Sequence, residues 1–590
     1  MLKYQILPKP KTITEKEGFF AINGCSVQLK GDNDYRVVKA AASLRNALVN
    51  TDGGVHKFCR VDGSLENAVS IALNENLKTE EYTLVICEKG IEICGGDAAA
   101  CFYGIATLKQ IIEAYGKNLP CLEIRDYPDM KYRGFYHDAT RGRVPSVEGV
   151  KTMVDRLAGL KINSLQLYVE HPFDFIEFKN ENKSEEQYLT VEDILEIDQY
   201  CYDNFVDFVP SLSSFGHLYH LLMKEEYKDL CELENFESKD HFWKERMEHH
   251  TIDPTNPKSF ELVCSLIDQY LPLFRSKYFN ICCDETFDLG KGRNKGKEIG
   301  ELYCDFVDKI IKHVTSMGKT VMMWGDIALE HPDALNRIPK DTIFLNWGYD
   351  ANPNEENVIR IKEQGFNQIV CPGTTTWTRL IELPAVAIPN ITKFAHQCNN
   401  HGGMGILNTN WGDYGHPCSP EAALYGTTLG ACVGWTVDTE VNEEFEKAVS
   451  YFVYGSETNI IPLISRVADI HLESAGWYSF FSWVSWKSKD YFKDYTNAAE
   501  YAKECLEIAE QLKVIPDKKN IIGHIVNATE GVALLNEAAD IIYNDKDREE
   551  WIAKSEKWLE CYEKLWLSGA KPSELYVIKE FVRKIMSTNE

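Results

Sequence analysis

The chain has 590 residues, of which 44% are hydrophobic and 26% are charged, an ordinary composition for a globular protein of several domains. Its formal net charge of −27 disfavours nucleic acid and anionic membrane surfaces as partners. The first residues lack the apolar stretch of a signal peptide, and no run approaches the ~18 apolar residues of a membrane-spanning helix. We therefore expect a cytoplasmic protein that does not bind membranes.

The 18 cysteines and 15 histidines form no CxxC pair and show no spacing typical of a zinc site. Cys87, Cys94, Cys282 and Cys283 lie in apolar, strand-like runs, where a reduced cysteine behaves as a small hydrophobic residue. We expect reduced thiols, no structural metal ion and no cofactor.

Residues 1–127 are predicted to form an α+β accessory domain. Strand-like runs occupy 68–73, 82–87 and 91–94, and the short polar turn between the last two predicts a hairpin. Apolar residues at helical spacing predict a helix from about Asp97 to Tyr115. Residues 124–129 are expected to be a linker.

In residues 128–440, strand and helix patterns alternate, which predicts βα units and a parallel sheet. The candidate strands are 132–138, 163–169, 206–212, 278–284, 319–324, 343–347, 368–372 and 404–410, and the candidate helices include 148–160, 191–204, 258–275 and 301–317. Eight strands over about 300 residues fit a (β/α)8 TIM barrel. A doubly wound sheet is the alternative, but no Gly-rich phosphate turn follows an early strand.

Residues 441–590 are predicted to be mostly helical, with an aromatic-rich segment around 477–486. The expected architecture is therefore an α/β protein with an N-terminal α+β domain, a central barrel and a C-terminal helical region. The role of the C-terminal helices is open, since they could pack on the barrel or form the interface of a homodimer.

Asp284 and Glu285 close an apolar run, 278–283, and are the most informative residues of the chain. In a TIM barrel the catalytic residues lie at the carboxyl ends of the strands, so two acids there predict acid–base chemistry. Four tryptophans follow other candidate strands at the same rim: Trp324, Trp347, Trp377 and Trp411. Because sugar faces pack against aromatic rings, an acid pair within an aromatic cage predicts glycoside hydrolysis.

Ordered motifs over roughly residues 1–440 resemble glycoside hydrolase family 20, the β-N-acetylhexosaminidases. They are 99–108 with Asp126-Tyr127-Pro128, Arg133-Gly134, Asp138-Ala139-Thr140-Arg141 with Pro145, 163–167, Val209-Pro210-Ser211 with Phe215-Gly216-His217, 253–257, Asp284-Glu285 and Trp411-Gly412-Asp413. The resemblance implies an exo-acting, retaining enzyme that removes terminal β-linked GlcNAc or GalNAc from small oligosaccharides or glycoconjugates. It also implies substrate-assisted catalysis through an oxazolinium intermediate.

The resemblance assigns each matched residue a role. Glu285 is the expected general acid/base, and Asp284 is expected to hold the N–H of the substrate's 2-acetamido group, whose carbonyl oxygen is the nucleophile. The expected sugar-binding residues are Arg141 and Asp413 for the hydroxyl groups and Trp324, Trp347 and Trp411 for the walls of the pocket. The residues expected behind the acids are His217, which tunes Glu285, Glu170, which is its charge partner, and the adjacent His171.

The chain departs from the family pattern in three places. Asn280, Cys282 and Cys283 replace a histidine and two glycines before the acid pair, and Glu170-His171 replaces an Asp-Asp pair. On the seventh strand, Trp377 and Arg379 replace a tyrosine and an aspartate.

In relatives that seventh-strand tyrosine binds the acetamido carbonyl, so another donor is needed. We expect the indole of Trp377 or the hydroxyl of Tyr414 to replace it. Arg379 is expected to change the site for the aglycone or the outer hydroxyls.

Two other functions remain open from the sequence. One is a metal-dependent barrel enzyme in which Asp284, Glu285 and His217 bind a divalent ion. The other is a carbohydrate-binding protein that has lost catalysis, which the seventh-strand departures make conceivable.

Overall fold

The computed structural model describes residues 3–61, 63, 65–179, 187–234, 246–331, 335–486 and 488–587. These residues form an N-terminal sheet with two helices, a closed eight-stranded barrel, and a C-terminal set of helices. The predicted α/β class with a (β/α)8 TIM barrel is therefore confirmed. Among the described residues, no helix has the length and apolarity needed to cross a membrane.

The N-terminal sheet contains seven strands in the order β1-β7-β5-β6-β4-β2-β3. They are β1 Thr12–Ala21, β2 Ser26–Leu29, β3 Phe58–Arg60, β4 Ala68–Leu73, β5 Tyr82–Cys87, β6 Gly90–Gly95 and β7 Asn118–Asp126. The antiparallel β5–β6 hairpin is as predicted. The linker predicted from residue 124 is wrong for its first three residues, because β7 continues to Asp126 while paired with both β1 and β5.

Two helices, Tyr35–Asp52 and Ala98–Tyr115, pack against one another and against this sheet. Each begins at an aspartate, Asp34 or Asp97, whose side chain accepts a hydrogen bond from the first turn.

The barrel strands are parallel and closed in chain order by the pairing of β15 with β8. They are β8 Tyr132–Asp138, β9 Ser164–Val169, β10 Asp207–Leu212, β11 Tyr278–Asn280, β12 Thr320–Trp324, β13 Ile343–Trp347, β14 Asn367–Cys371 and β15 Gly405–Asn410. Every residue of β8, β9 and β15 is buried, as expected for strands covered on both faces. The predicted strand 278–284 ends at Asn280, because Cys282 and Cys283 adopt left-handed backbone conformations.

Helices surround the barrel, and polar residues cap the first turns of some of them. Ser146 and Asn256 each accept a backbone hydrogen bond, Thr190 forms a capping box with Asp193, and Pro257 occupies a first-turn position. The longer helices are Val147–Gly159, Val191–Asp203, Pro257–Tyr270, Ile299–Ser316, Glu355–Glu363, Pro384–Asn400 and Leu424–Trp435, and short ones lie at Tyr219–Leu222 and Asp326–Glu330.

The C-terminal region is helical, as predicted. Its helices are Glu443–Phe452, Ile461–Glu473, Trp477–Trp486, Ala498–Lys513, Ile522–Tyr543, Glu549–Leu567 and Leu575–Ser587. Their buried apolar side chains belong to the same continuous core as those of the barrel helices. All 18 cysteines of the chain are free thiols.

A buried polar contact joins the N-terminal sheet to the barrel. The ammonium of Lys161 lies 2.8 Å from Asp126, and both side chains are fully buried. Asp126 also accepts hydrogen bonds from the Tyr82 hydroxyl and the Trp435 indole. The sheet and the barrel therefore share a fully buried charge pair.

Candidate active site

Asp284 and Glu285 lie in a turn that follows β11 at the carboxyl end of the barrel. Cys282, Cys283 and Glu285 all have positive φ angles, of 57°, 63° and 48°. Gly216, from the loop after β10, packs so closely on this turn that a Cβ would collide with the carbonyl of Asp284. The side chain of Glu285 is 26% exposed and that of Asp284 only 11%, so Glu285 is the acid more open to solvent.

The buried His217 connects both acids to Glu170. Its Nε2 atom lies 3.3 Å from Glu285 Oε2 and 3.5 Å from Asp284 Oδ2, and its Nδ1 atom lies 3.8 Å from Glu170 Oε1. Burial alone would lower the pKa of His217, but the carboxylates of Asp284 and Glu285 raise this pKa well above its usual value. The surrounding carboxylates therefore favour the protonated form of His217, which lies within a group of three acids.

Asp326 is a fourth acid at this site, and the sequence analysis did not identify it. Its Oδ2 atom accepts a 2.9 Å hydrogen bond from the backbone N–H of Glu285. Burial is the main cause that raises the pKa of Asp326 to about 7, and repulsion from Asp284 is the second. Its position two residues beyond Trp324, at the end of β12, is the pattern that could have revealed it.

Arg141 is held among acids and aromatic rings. Its Nη1 atom is 3.0 Å from Asp138 Oδ2, and its Nε atom is 3.4 Å from Asp413 Oδ1. Its guanidinium also lies over the rings of Tyr168 and Trp411, at 4.7 Å and 5.1 Å. These contacts fix the predicted pair of hydroxyl-binding residues, Arg141 and Asp413, side by side.

The predicted tryptophans form a cage with tyrosines between them. Trp324 is fully buried, edge-on to Tyr136 and 5.8 Å from Trp411, so it forms the floor of the cage. Tyr349 stacks on Trp347 at 5.2 Å and lies 5.0 Å from Trp377. The Trp411 indole donates a 2.6 Å hydrogen bond to the Tyr349 hydroxyl.

The cage thus contains three tyrosines that the sequence analysis missed: Tyr136, Tyr168 and Tyr349. Tyr136 lies two residues before the end of β8 and Tyr168 one residue before the end of β9. Tyr349 follows Trp347 by two residues. Alternation of inward and outward side chains along β8 and the β13 segment could have revealed Tyr136 and Tyr349.

Two other predicted residues contact the C-terminal helices. The ring of Tyr414 packs against Tyr478 and Phe481. The Nη1 atom of Arg379 lies 3.3 Å from His471 Nδ1, and burial lowers the pKa of Arg379 to about 10. Both residues therefore lie on the side of the cage that faces the C-terminal helices.

His171 lies beside Glu170, at the edge of the group of acids. Its Nδ1 atom is 3.9 Å from Glu170 Oε2, and its ring centroid is 3.9 Å from that of His220. It therefore lies closest to Glu170 among the acids named above.

Ligand atoms of His217, Asp284 and Glu285 lie within 4.8 Å of one another, which is close enough to hold a metal ion. In the absence of a metal ion, Asp284 and Glu285 favour the protonated ring of His217, and a bound divalent ion would replace that proton. The geometry of these three residues therefore fits both an ion cluster and a metal centre.

Comparisons with known proteins identify related sequences for the sheet and the barrel. Residues 3–127 match "Glycosyl hydrolase family 20, domain 2", and residues 130–382 match "Glycosyl hydrolase family 20, catalytic domain". A β-hexosaminidase of Porphyromonas gingivalis is 26% identical over 55% of this chain and 45% of its own length. A lacto-N-biosidase of Bifidobacterium bifidum is 22% identical over 68% of this chain and 36% of its own length.

Solved structures share the fold. The chitobiase of Flavobacterium johnsoniae is 18% identical, with a TM-score of 0.65, and the match covers 98% of this chain and 99% of that one. An exo-β-N-acetylglucosaminidase of Vibrio harveyi, solved with N-acetylglucosamine, is 19% identical with a TM-score of 0.59 and covers 76% of this chain and 77% of its own. The chitobiase match extends through the C-terminal helices.

Proposed function

Because the chain belongs to glycosyl hydrolase family 20, we propose that it is a β-N-acetylhexosaminidase that releases terminal β-linked N-acetylhexosamines from oligosaccharides or glycoconjugates. The names of its relatives support this activity, although the chain spans less than half the length of the first two. The observation that carries the proposal is the pair Asp284 and Glu285, held by His217 and Asp326 beside an aromatic cage.

The division of labour between the acids follows from their surroundings. Glu285, the more exposed acid, protonates the glycosidic oxygen and later activates water. Asp284 Oδ1 is buried and has no hydrogen-bond partner among the described residues, so it accepts the acetamido N–H of the substrate. The substrate carbonyl then attacks the anomeric carbon, and the configuration is retained.

Tyr349 is the donor that we propose for the acetamido carbonyl. Its hydroxyl oxygen accepts the bond from Trp411, and its proton can turn from the neighbouring Thr409 to the carbonyl of the substrate. Its ring is fixed between Trp347 and Trp377, inside the cage. Tyr349 therefore fits this role better than Tyr414, whose ring packs on the C-terminal helices.

Hydrolysis of p-nitrophenyl β-N-acetylglucosaminide and of its galacto epimer, with and without EDTA, tests the activity. We expect turnover that the chelator does not change, and Glu285→Gln should lower kcat by about 10²–10⁴-fold. Glu363→Gln, an exposed change on a barrel helix, is the matched control.

The outcomes separate the alternatives. Turnover that EDTA abolishes would favour the metal-dependent enzyme. Binding of N-acetylhexosamine without any turnover would favour a carbohydrate-binding protein.

Substrate assistance has its own test. Asp284→Asn should slow hydrolysis by a factor on the order of 10² or more, because the amide stabilises the developing positive charge of the acetamido nitrogen less well. An N-acetylhexosamine thiazoline, which mimics the oxazolinium, should inhibit the wild type competitively. Absence of inhibition would contradict participation of the acetamido group.

A further inference from the structure

The loops that carry Arg141 and Asp413 lie directly against the C-terminal helices. We call residues 139–146, after β8, the first loop, and residues 411–419, after β15, the last loop. The two loops also touch each other, since a Cβ on Gly142 would lie 2.9 Å from the carbonyl oxygen of Gly415.

Arg143, in the first loop, connects both loops to the C-terminal region. Its Nε donates to the carbonyl of His416 in the last loop at 3.3 Å, and its Nη2 donates to the Tyr562 hydroxyl at 3.0 Å. The guanidinium stacks 4.0 Å from the ring of Trp566. The Tyr562 hydroxyl in turn donates to the carbonyl of Pro417 in the last loop at 3.0 Å.

The segment after helix Glu549–Leu567 holds the rest of the first loop. The Ser573 hydroxyl and the Glu574 backbone N–H both donate to the carbonyl of Gly142, at 2.8 Å and 3.2 Å. The Lys571 N–H donates to the carbonyl of Val144, and the Trp477 indole donates to the carbonyl of Tyr414 in the last loop. Backbone groups of both loops thus depend on donors from the C-terminal region.

We propose that Arg143 is a positioning residue. Together with Tyr562 and Trp566 it fixes the position of the first loop relative to the last loop, so that Arg141 and Asp413 contact the same sugar. This inference rests on the proposed function for what Arg141 and Asp413 bind. The C-terminal helices then complete the sugar site from outside the barrel. The acids on the turn after β11 are held by His217 and Asp326 instead.

This arrangement predicts that binding and chemistry respond differently. Loosening the two loops weakens hydroxyl contacts that exist in both the bound substrate and the transition state, which raises KM more than it lowers kcat. Arg143→Lys keeps the charge but loses the planar fork, and Tyr562→Phe removes only the shared hydroxyl. Each should raise KM by about 5–20-fold while kcat changes by less than about 3-fold.

The experiment measures kcat and KM for p-nitrophenyl β-N-acetylglucosaminide together with amide hydrogen exchange of both loops. Arg583→Lys is the matched control, because Arg583 forms a half-exposed ion pair with Glu556 in the same region. We expect faster exchange in residues 139–146 and 411–419 of Arg143→Lys and Tyr562→Phe, and unchanged exchange in residues 281–286.

Equal KM and equal exchange in wild type, Arg143→Lys and Tyr562→Phe would overturn the proposal. A loss of kcat at unchanged KM would also overturn it, since it would assign Arg143 to the chemistry. If the wild type hydrolyses no hexosaminide, the proposed function fails, and the exchange of the two loops alone decides whether Arg143 couples them.

Discussion

At the scale of single residues, the left-handed turn before Glu285 explains how two adjacent acids serve one site. In an extended strand, neighbouring side chains point to opposite faces. The positive φ angles of Cys282, Cys283 and Glu285 break that alternation, so that both Asp284 and Glu285 reach His217. A left-handed conformation costs about 1–2 kcal/mol for a residue with a Cβ. Cys282 and Cys283 thus keep the backbone shape for which glycine is better suited.

The Tyr349 assignment is tested by Tyr349→Phe. Removal of one preorganised donor typically lowers kcat by about 10²–10³-fold, and we expect a loss of that order. The thiazoline should also bind less tightly, since Tyr349 would contact its ring heteroatom. Tyr414→Phe is the control and should leave kcat nearly unchanged. If kcat falls in Tyr414→Phe and not in Tyr349→Phe, Tyr414 is the donor. If kcat is unchanged in both variants, the indole of Trp377 becomes the favoured donor.

A buried histidine links stability to pH. Burial lowers the pKa of His137 to about 4, while an unfolded histidine titrates near pH 6.5. As pH falls from 6.5 towards 4, the unfolded chain binds a proton that the folded chain does not, so the unfolding free energy decreases. The contribution of this single group is on the order of 3 kcal/mol.

Urea unfolding of wild type and His137→Gln at pH 7 and pH 4.5 measures this effect. The variant should be less stable at pH 7, because it loses the packing of the ring and its 3.1 Å contact with Asn410. The difference between the two proteins should shrink at pH 4.5. His396→Gln, at a half-exposed position, is the control. Parallel pH profiles for wild type and His137→Gln would contradict the buried neutral state.

At the scale of elements, the barrel strands could be predicted because strand and helix patterns alternate along residues 128–440. The bounds of β8 and β13 agree with the sequence prediction, and most other strands differ by one residue at an end. The exception is β11, whose apolar run continues past the strand into the left-handed turn. Apolar character reports burial, and it does not distinguish an extended residue from a left-handed one.

Helix Leu424–Trp435 depends on an acid from another segment. Its N-terminal residue has no capping side chain of its own, and Glu382 accepts the N–H groups of Tyr425 and Gly426 at 2.9 Å and 2.7 Å. Burial raises the pKa of Glu382 to about 8, so a neutral side chain fits this place at pH 7.

Replacement of Glu382 tests this external cap. Glu382→Leu leaves two buried donors unsatisfied and should cost about 2–5 kcal/mol of unfolding free energy. Glu382→Gln keeps one of the two acceptor oxygens in a side chain of the same size and should cost less than Glu382→Leu, although its NH2 group faces the second N–H. Urea unfolding at pH 7 measures the unfolding free energy of both variants. Equal losses of stability would show that Glu382 acts through packing and not through its hydrogen bonds.

At the scale of the whole molecule, the three parts of the chain are joined by buried polar contacts as well as by apolar packing. Trp435, at the end of a barrel helix, packs into the core of the N-terminal sheet. Arg133 of β8 is fully buried and pairs with Glu80 at 2.6 Å. Buried side chains therefore join the N-terminal sheet to the barrel, while the C-terminal helices hold the first and last loops at the carboxyl ends of the barrel strands.

The Lys161–Asp126 pair should be sensitive to loss of one partner. Asp126→Asn leaves a buried ammonium without its counter-charge and should cost about 3–5 kcal/mol in urea unfolding. The double variant Asp126→Asn/Lys161→Met also removes the unpaired ammonium of Lys161 and should recover part of the lost unfolding free energy. Asp308→Asn, which breaks the exposed pair with Lys312, should change stability by less than about 0.5 kcal/mol. Equal losses in the single and double variants would contradict a charge effect.

The sequence by itself determined the barrel, the sheet before it and the helices after it, because hydrophobic periodicity reports which side of an element is buried. It also determined the acid pair and the rim tryptophans, since residues at strand ends gather at one mouth in a barrel. Only the tertiary structure decided which groups Asp326 and Tyr349 bond to within the site, and that Tyr414 and Arg379 contact the C-terminal helices. Those placements depend on loop paths and on contacts between distant segments, such as Arg143 with Tyr562, which no local pattern encodes.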